Sequence, residues 1–293
     1  MKLHNRIAQA ILSRMYFLPD NLIIKAEFRN RMGYRMDLNH PVTFNEKLQW
    51  LKLYDRKEEY TRMVDKYEVK KYVSNIIGEQ YIVPTLGLYE RFNDIEFEKL
   101  PNKFVIKCTH DSGGLVICDD KNTFDLQAAR KKINRCLSHN FYYKLREWPY
   151  KNVIPRIIIE KNLRDLDSDL KDYKFFVFNG RVECFKIDFD RFIKHGANYY
   201  DRNGKLLKFG EVVCPPNFKK RLNMPKNLNL MISLAEKLAG NTAFIRVDFY
   251  DVKGKIYFGE LTFYPAAGFG RFDPEDWDKK LGDLIKLDVK NEH

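Results

Sequence analysis

The sequence has no CxxC pair, no apolar run long enough to cross a bilayer, no internal repeat and no low-complexity linker. Its five cysteines, Cys108, Cys118, Cys136, Cys184 and Cys214, are odd in number and widely spaced. That excludes a disulfide framework and the usual zinc spacings, and it suits a reducing cytoplasm. The basic N-terminus places Ile7, Ile11, Leu12 and Met15 on one helical face. The stretch is too short and interrupted for a signal peptide or a spanning helix. Packing onto the rest of the protein is the expected use of that face, and lying on a membrane surface is the lesser alternative. No GxxxxGK[ST] loop and no GxGxxG turn occurs, so neither phosphate-binding fingerprint applies. No Ser/His/Asp or Cys/His constellation stands out. Of the six histidines only His110 lies beside a motif of interest, and it is expected as a satisfied polar histidine.

What is present is a chain of 293 residues, 44% hydrophobic, enough for one large domain or two small ones. Lysine and arginine exceed the acids, 52 − 40 = +12, and the excess is spread along the chain with no purely basic tail. A solvated basic surface accounts for most of it; an anionic partner such as a nucleotide, an acidic glycan, nucleic acid or anionic lipid is the sharper reading. The first sixty residues read as mainly helical, with Thr43 and Glu46 as a capping box. A helix is expected over residues 65–77, closed by Gly78. Strands are expected over 103–107, 115–118, 153–160, 173–178 and 181–189, and helices over 125–139 and 228–238. Asn179-Gly180 signals a tight hairpin. Mixed helices and antiparallel hairpins point to an α+β fold rather than a doubly wound sheet. Residues 163–170 read as a flexible joint.

Residues 245–265, IRVDFYDVKGKIYFGELTFYP, form a second hairpin signal around Lys253-Gly254. Centred on Gly254, it sets Asp248 opposite Glu260, with Arg246 and Thr262 the next pair on the same face. Ile245, Val247, Phe249, Tyr257 and Leu261 point the other way, towards a core. Opposed like charges destabilise a pair. A hard cation between the carboxylates removes the conflict. Pairing of one acid with Arg246, or two solvent-facing acids, is the equal alternative on this stretch alone.

Upstream, KFVIKCTHDSGGLVICDD (103–120) sets Lys107 at the end of a buried-looking strand. The Ser112-Gly113-Gly114 turn after it can bring backbone N–H groups to phosphate oxygens. IPRIIIEKNL (154–163) ends an isoleucine run on Glu160, which can accept from an exocyclic amine; the backbone just after it can read a base edge. In DYKFFVF (172–178), Asp172 and Lys174 share a face, the acid suited to ribose hydroxyls and the lysine to a phosphate. Each piece also has a plain reading, as a turn, a first solvated residue or a surface ion pair.

In this order, the lysine, the Gly-rich turn, IEKNL, DYK, RVD and GEL resemble the ATP-grasp superfamily. PVTFNEKLQWLKLYDR, VDKYEVKKYV, LPNKFVIKCTHDSGG, DYKFFVFNGR and FGELTFYPAAGFGRF resemble its TupA-like branch, over roughly residues 28–284. The resemblance implies an ATP-grasp fold, two α+β subdomains clasping ATP, with a short helical N-terminal region. The divisions expected are 1–60 for that region and 61–293 for the ATP-grasp domain, with a lid over about 103–163. It implies ATP and Mg²⁺ as cofactors. Lys107 and Lys174 would contact phosphates under the Ser112-Gly113-Gly114 turn. Glu160 and the backbone of Lys161, Asn162 and Leu163 would hold adenine, and Asp172 the ribose. Asp248, Glu260 and Thr262 would hold the metal. Thr262 stands where the superfamily usually has asparagine. Arg246, with Lys174, would stabilise the reacting centre. The implied activity is a carboxylate–amine ligase joining an amino acid or other amine to an acidic glycan or uronic acid. It would be cytoplasmic, with a peripheral contact at the inner membrane face and no nucleic-acid partner. The competing readings are a glycosyltransferase of capsule or lipopolysaccharide synthesis and a non-catalytic basic binding module. The first lacks a DxD pair between strands, since Asp165-Leu166-Asp167 lies in a polar, loop-like stretch. The second predicts no affinity for ATP.

Overall fold

A computed structural model describes residues 17–165, 170–190 and 195–287. The N-terminal face at Ile7, Ile11, Leu12 and Met15, and residues 166–169 of the expected joint at 163–170, Asp167 among them, lie outside the described residues.

Helix α1 (Asp20–Met32) closes on Gly33, whose φ of 87° is left-handed. Helix α2 (Phe44–Tyr54) opens on the expected capping box. The Thr43 hydroxyl accepts from the Glu46 amide, and the Glu46 carboxylate accepts from the Thr43 amide at 3.0 Å. Beside its apolar face, α2 buries Asn45, Gln49 and Lys52. These find partners in Asp278 and in the carbonyls of Gly270, Ala267 and Gly268, as buried polar groups must.

A short helix α3 (Glu59–Val64), not foreseen, precedes the helix expected over 65–77, which is α4 (Glu68–Ile77), three residues shorter at its start and closed by Gly78 as expected. The break between them lies at Asp65. Its backbone leaves the helical region, with ψ 117°, and its carboxylate accepts from the amides of Tyr67 and Glu68. An aspartate competing for local amides favours a helix start over a helix interior. Strands β1 (Thr85–Tyr89), β2 (Phe104–Cys108) and β3 (Leu115–Cys118) follow. Then come α5 (Leu126–Leu137), capped by Asp125, a single turn α6 (Tyr142–Leu145), and β4 (Ile157–Lys161). These strands form one antiparallel sheet in the order β1-β4-β2-β3. Phe104, Ile106, Ile157 and Ile159 pack on its inner face with Ala129 and Ile133 of α5.

The Asn179-Gly180 turn, with φ of 46° and 79°, joins β5 (Lys171–Phe178) to β6 (Arg181–Phe189). Next are β7 (Gly196–Asp201), β8 (Leu206–Leu207), β9 (Gly210–Glu211), α7 (Leu228–Ala239), β10 (Phe244–Val252), β11 (Lys255–Thr262), β12 (Phe272–Asp273) and α8 (Asp276–Asp283). The large sheet runs β11-β10-β5-β6-β7-β8, and β12 pairs with β9. On one face of the large sheet Phe175 stacks on Phe185 and Phe185 on Tyr200. Phe249 meets Phe175 edge-on. Ile245, Val247 and Phe249 are thus buried as expected. β1 and β7 were not foreseen: TLGLY and GANYYD are diluted by glycine, and β1 is only partly buried.

The chain divides into two units. One comprises Met1–Arg56, Lys171–Phe249 and Leu261–His293; the other comprises Lys57–Leu170 and Tyr250–Glu260. The described N-terminal helices α1 and α2 therefore share a unit with β5, β6 and β7, while residues 103–163 lie wholly in the other.

Candidate active-site clusters

In the unit containing Lys57–Leu170, three charged side chains meet. Glu160 on β4 is 5% exposed. Its two oxygens are held by Lys107 of β2, at 2.6 Å, and by Lys70 of α4, at 2.5 Å. Lys70 also donates to the Val83 carbonyl. Burial alone would lower the pKa of Lys107. The Glu160 carboxylate, with Tyr250 and Glu260 also acting on it, outweighs burial and holds the ammonium above its ordinary range. Lys70, sharing the same carboxylate, is still pulled down by its burial. Burial would raise Glu160, and the two lysines together bring it below its ordinary value. Two cations share the one carboxylate, while Glu260 acts on Lys107 from further off, a lysine-lined setting suited to an anion.

The Ser112-Gly113-Gly114 turn adjoins this strand. The Gly114 amide donates to Asp111 at 2.8 Å and its carbonyl accepts from Cys108 at 2.7 Å, whereas Ser112 and Gly113 are exposed. The Lys161 amide donates to the Pro84 carbonyl. The Asn162 side chain donates to Asp119, and Leu163 packs with Val83, Val252 and Tyr257. His110 is not fully satisfied as expected. Its Nε2 lies 3.1 and 3.2 Å from the carbonyls of Cys136 and His139, but its buried Nδ1 has no hydrogen-bond partner among the described residues. A ring clamped through one nitrogen has nothing polar to offer the other.

The second cluster lies on the face of the large sheet opposite the Phe175 stack. Lys174 of β5 donates to Asp172, two residues away, and to Asp248 of β10 at 2.8 Å. Arg246 grips both oxygens of Asp248 at 2.7 Å. The pairing register sets Lys174 beside Lys186 and Lys186 beside Tyr199. Lys186 reaches both oxygens of Glu211, at 3.1 and 3.2 Å, and the Tyr199 hydroxyl donates to Glu211 at 2.6 Å. Asp188 lies 3.9 Å from Lys174, 4.0 Å from Lys186 and 3.5 Å from His195. Its Oδ1 has no hydrogen-bond partner among the described residues. Against burial, Arg246 and Lys174 hold Asp248 down to about 2. Asp172 moves the other way: burial, with Asp248 and Asp188 nearby, outweighs Lys174 and raises it. Asp172, Asp188, Asp248 and Glu211 face Lys174, Lys186 and Arg246, so four carboxylates meet three cations. The surplus is negative, the setting in which a divalent cation fits.

Asp172, Lys174, Arg246 and Asp248 were expected together and are together. Glu260, exposed on β11, and Thr262 follow the Lys253-Gly254 turn, with φ of 53° and 88°, and β11 pairs with the strand that carries Asp248. Lys70, Lys186, Asp188, Tyr199 and Glu211 were missed. For two of them a signal existed: Asp172-x-Lys174 and Lys186-x-Asp188 mirror each other about Asn179-Gly180. Lys70, Tyr199 and Glu211 had none, since their partners lie on other elements.

Lysine–carboxylate clusters within each of two sheets, together with the RVD…GEL hairpin of β10 and β11, are features of an ATP-grasp protein, the class that the family match shows. Within that class the chain belongs to the TupA-like ATP-grasp family, whose model matches residues 46–286. No curated protein matches it by sequence. Among solved structures it is similar to N5-carboxyaminoimidazole synthetase from Staphylococcus aureus, with 16% identity over 69% of this chain and 44% of that one, TM-score 0.38. It is also similar to D-alanine–D-alanine ligase from Bacillus anthracis complexed with ATP, with 17% identity over 76% of this chain and 63% of that one, TM-score 0.44. A third is D-alanine–D-alanine ligase from Helicobacter pylori, with 14% identity over 83% of this chain and 69% of that one, TM-score 0.42. The chain spans about half the length of the first of these proteins and less than two thirds of the second.

Proposed function

We propose that the protein is an ATP- and Mg²⁺-dependent carboxylate–amine ligase working through an acyl phosphate. The observation that carries this reading is the buried lysine, Lys174, held between Asp172 and Asp248 with Arg246 across from it. A substrate carboxylate oxygen attacks the γ-phosphorus of ATP and ADP leaves. An amine nitrogen then attacks the acyl carbon, the carbon–nitrogen bond forms and inorganic phosphate departs. No protein nucleophile is needed; positioning and charge stabilisation do the chemistry.

Lys107 and Lys174 bind phosphate oxygens, and the Ser112-Gly113-Gly114 turn covers them. Glu160 and the backbone of Lys161, Asn162 and Leu163 take the adenine edge. For Glu160 this requires that one oxygen serve the base while Lys107 or Lys70 keeps the other. Asp172 takes the ribose. Asp248, Glu260 and Thr262 would hold Mg²⁺, and the surplus carboxylate around Asp248 fits that charge; the cation would supply neutralisation of phosphoryl oxygens. Arg246 stabilises the charge that develops at the reacting carbon or phosphorus. The basic surface favours a uronic-acid glycan or its precursor as the carboxylate and an amino acid as the amine. Among the described residues no helix is long and apolar enough to cross a membrane, and a lipid-linked acceptor would be met at the inner membrane face.

The test is ADP release with Mg²⁺ over a panel of uronic acids, each paired with amino acids, beside a direct measurement of MgATP binding. Micromolar to millimolar binding, with acid-dependent ADP release, is expected. Failure to bind MgATP overturns the reading, and consumption of a sugar nucleotide instead would make the protein a transferase.

A further inference from the structure

The cysteines, too far apart in sequence to suggest a metal site, are not all far apart in the fold. In the unit containing Lys57–Leu170, Cys108 ends β2, Asp111 lies in the turn after it and Cys136 is in the last turn of α5. The two Sγ atoms and a carboxylate oxygen of Asp111 all lie within 4.8 Å of one another. Cys108 and Asp111 are buried, and Cys136 is half-buried, which leaves an approach from one side. We propose that Cys108, Asp111 and Cys136 form a binding site for a zinc-type divalent cation, which staples the glycine turn to β2 and α5.

The geometry needs little adjustment. Around tetrahedral zinc, with metal–sulfur bonds near 2.3 Å, ligating sulfurs stand about 3.8 Å apart. Two thiolates and one carboxylate select a borderline-soft cation over magnesium. One oxygen of Asp111 already accepts from the Gly114 amide, and a carboxylate has lone pairs for both duties. The backbone is built around the group. A Cβ on Gly114 would fall 2.6 Å from the Cys108 sulfur and 2.9 Å from Asp111 Oδ1, so only glycine allows the turn to close there. A second observation marks unmet polar demand in the same turn. His110, between two of the ligands, directs Nε2 at two carbonyls, which can only accept. In the neutral ring Nδ1 therefore keeps a lone pair, and that atom is buried without a hydrogen-bond partner among the described residues.

Charge is conserved. The metal-free group carries one negative charge, on Asp111, beside Lys66, whose ammonium donates to the Asp111 carbonyl. Binding exchanges two thiol protons for one divalent cation, so two S–H bonds break, two metal–sulfur bonds form, and the net charge stays at −1 beside the same lysine. Burial, then Asp111, raises the pKa of Cys108, and burial does the same for Cys136. The protons must be displaced by the metal, so affinity rises with pH, by up to about a hundredfold per unit.

This proposal is independent of the ligase reading, and its test needs no substrate. The reduced full chain, freed of metal by a chelator, is titrated with Co²⁺. One equivalent should bring up the near-ultraviolet thiolate-to-cobalt band and release about two protons, and Zn²⁺ should bleach the band stoichiometrically. Cys136→Ser, at the half-buried ligand, should remove the band while leaving the melting temperature of the metal-free protein within a few degrees of the parent. Cys214→Ser should leave the band intact. Absence of a band in the reduced parent overturns the proposal. So does a band that survives Cys136→Ser and vanishes in Cys214→Ser, because Cys214 stands with Asp188 and His195 in a separate potential ligand group.

Discussion

The two charged clusters are built alike and charged oppositely. On β2 and β4, one carboxylate, Glu160, serves two lysines. On β5, β6, β9 and β10, four carboxylates share three cations. Both are buried and hydrogen-bonded, so neither is held together by charge balance alone. Two lysines converging on one carboxylate favour an anion, and a surplus of carboxylates favours a cation. The difference teaches that a buried ionic group can be read by the sign of its surplus, each within its own unit.

The largest effect should come from Asp248→Asn. Removing the shared partner of Lys174 and Arg246 leaves two buried cations under-paired, and we expect a loss of roughly 3–5 kcal/mol in unfolding free energy, read by denaturant titration. Mg²⁺-dependent ADP formation should fall by about a hundredfold or more. Unchanged activity at retained fold would break the comparison. Its pH dependence has a definite sign. Asp248 sits near 2 in the folded protein against an ordinary 3.8. Its contribution of roughly 2 kcal/mol is therefore complete above about pH 4 and lost as pH falls towards 2. The gap in stability between parent and Asp248→Asn should narrow over that window; a constant gap would mean Asp248 is not held down.

Lys107→Met should weaken MgATP binding about tenfold or more, the cost of a charge-assisted phosphate contact, measured by calorimetry. Lys70→Met should weaken it less, because Lys70 already serves the Val83 carbonyl as well as Glu160. Equal losses would show that the two lysines do the same work. Gly114→Ala drives a Cβ into Cys108 and should lower stability by about 1–3 kcal/mol, visible as a lower melting temperature. Smallest is Tyr199→Phe. It removes one neutral-to-charged hydrogen bond to Glu211 and should lower stability by about 1 kcal/mol with little change in Mg²⁺ dependence.

Much of this was legible in the sequence where partners are close along the chain. The Thr43–Glu46 box, the Asn179-Gly180 hairpin, the helix after Asp125 and the inward run of Ile245, Val247 and Phe249 obey rules of spacing, and the fold follows them. Asp172 with Lys174 was readable for the same reason. The grip of Lys70 on Glu160 was not, because nothing in VDKYEVKKYV says which strand that helix faces. Tyr199 was hidden on β7, which opens on Gly-Ala-Asn, and Glu211 on β9, a strand of only two residues. The helix expected over 65–77 starts three residues late because Asp65 spends its carboxylate on the amides of Tyr67 and Glu68.

The mirrored pair about Asn179-Gly180 has a consequence for the order of assembly. A two-residue turn lets β5 and β6 zip up on a microsecond scale, so Lys174 and Lys186, with Asp172 and Asp188, are neighbours as soon as that stretch exists. Asp248 lies some sixty residues further on. At about 5–20 residues per second it leaves the ribosome several seconds later. For that interval Lys174 has Asp172 but neither Asp248 nor Arg246. Amide protection during refolding should also rise in β5 and β6 before β10, because the hairpin is local whereas β10 must reach β5 across some sixty residues; β10 then adds one carboxylate and one cation, leaving the balance of charge as the earlier strands had set it.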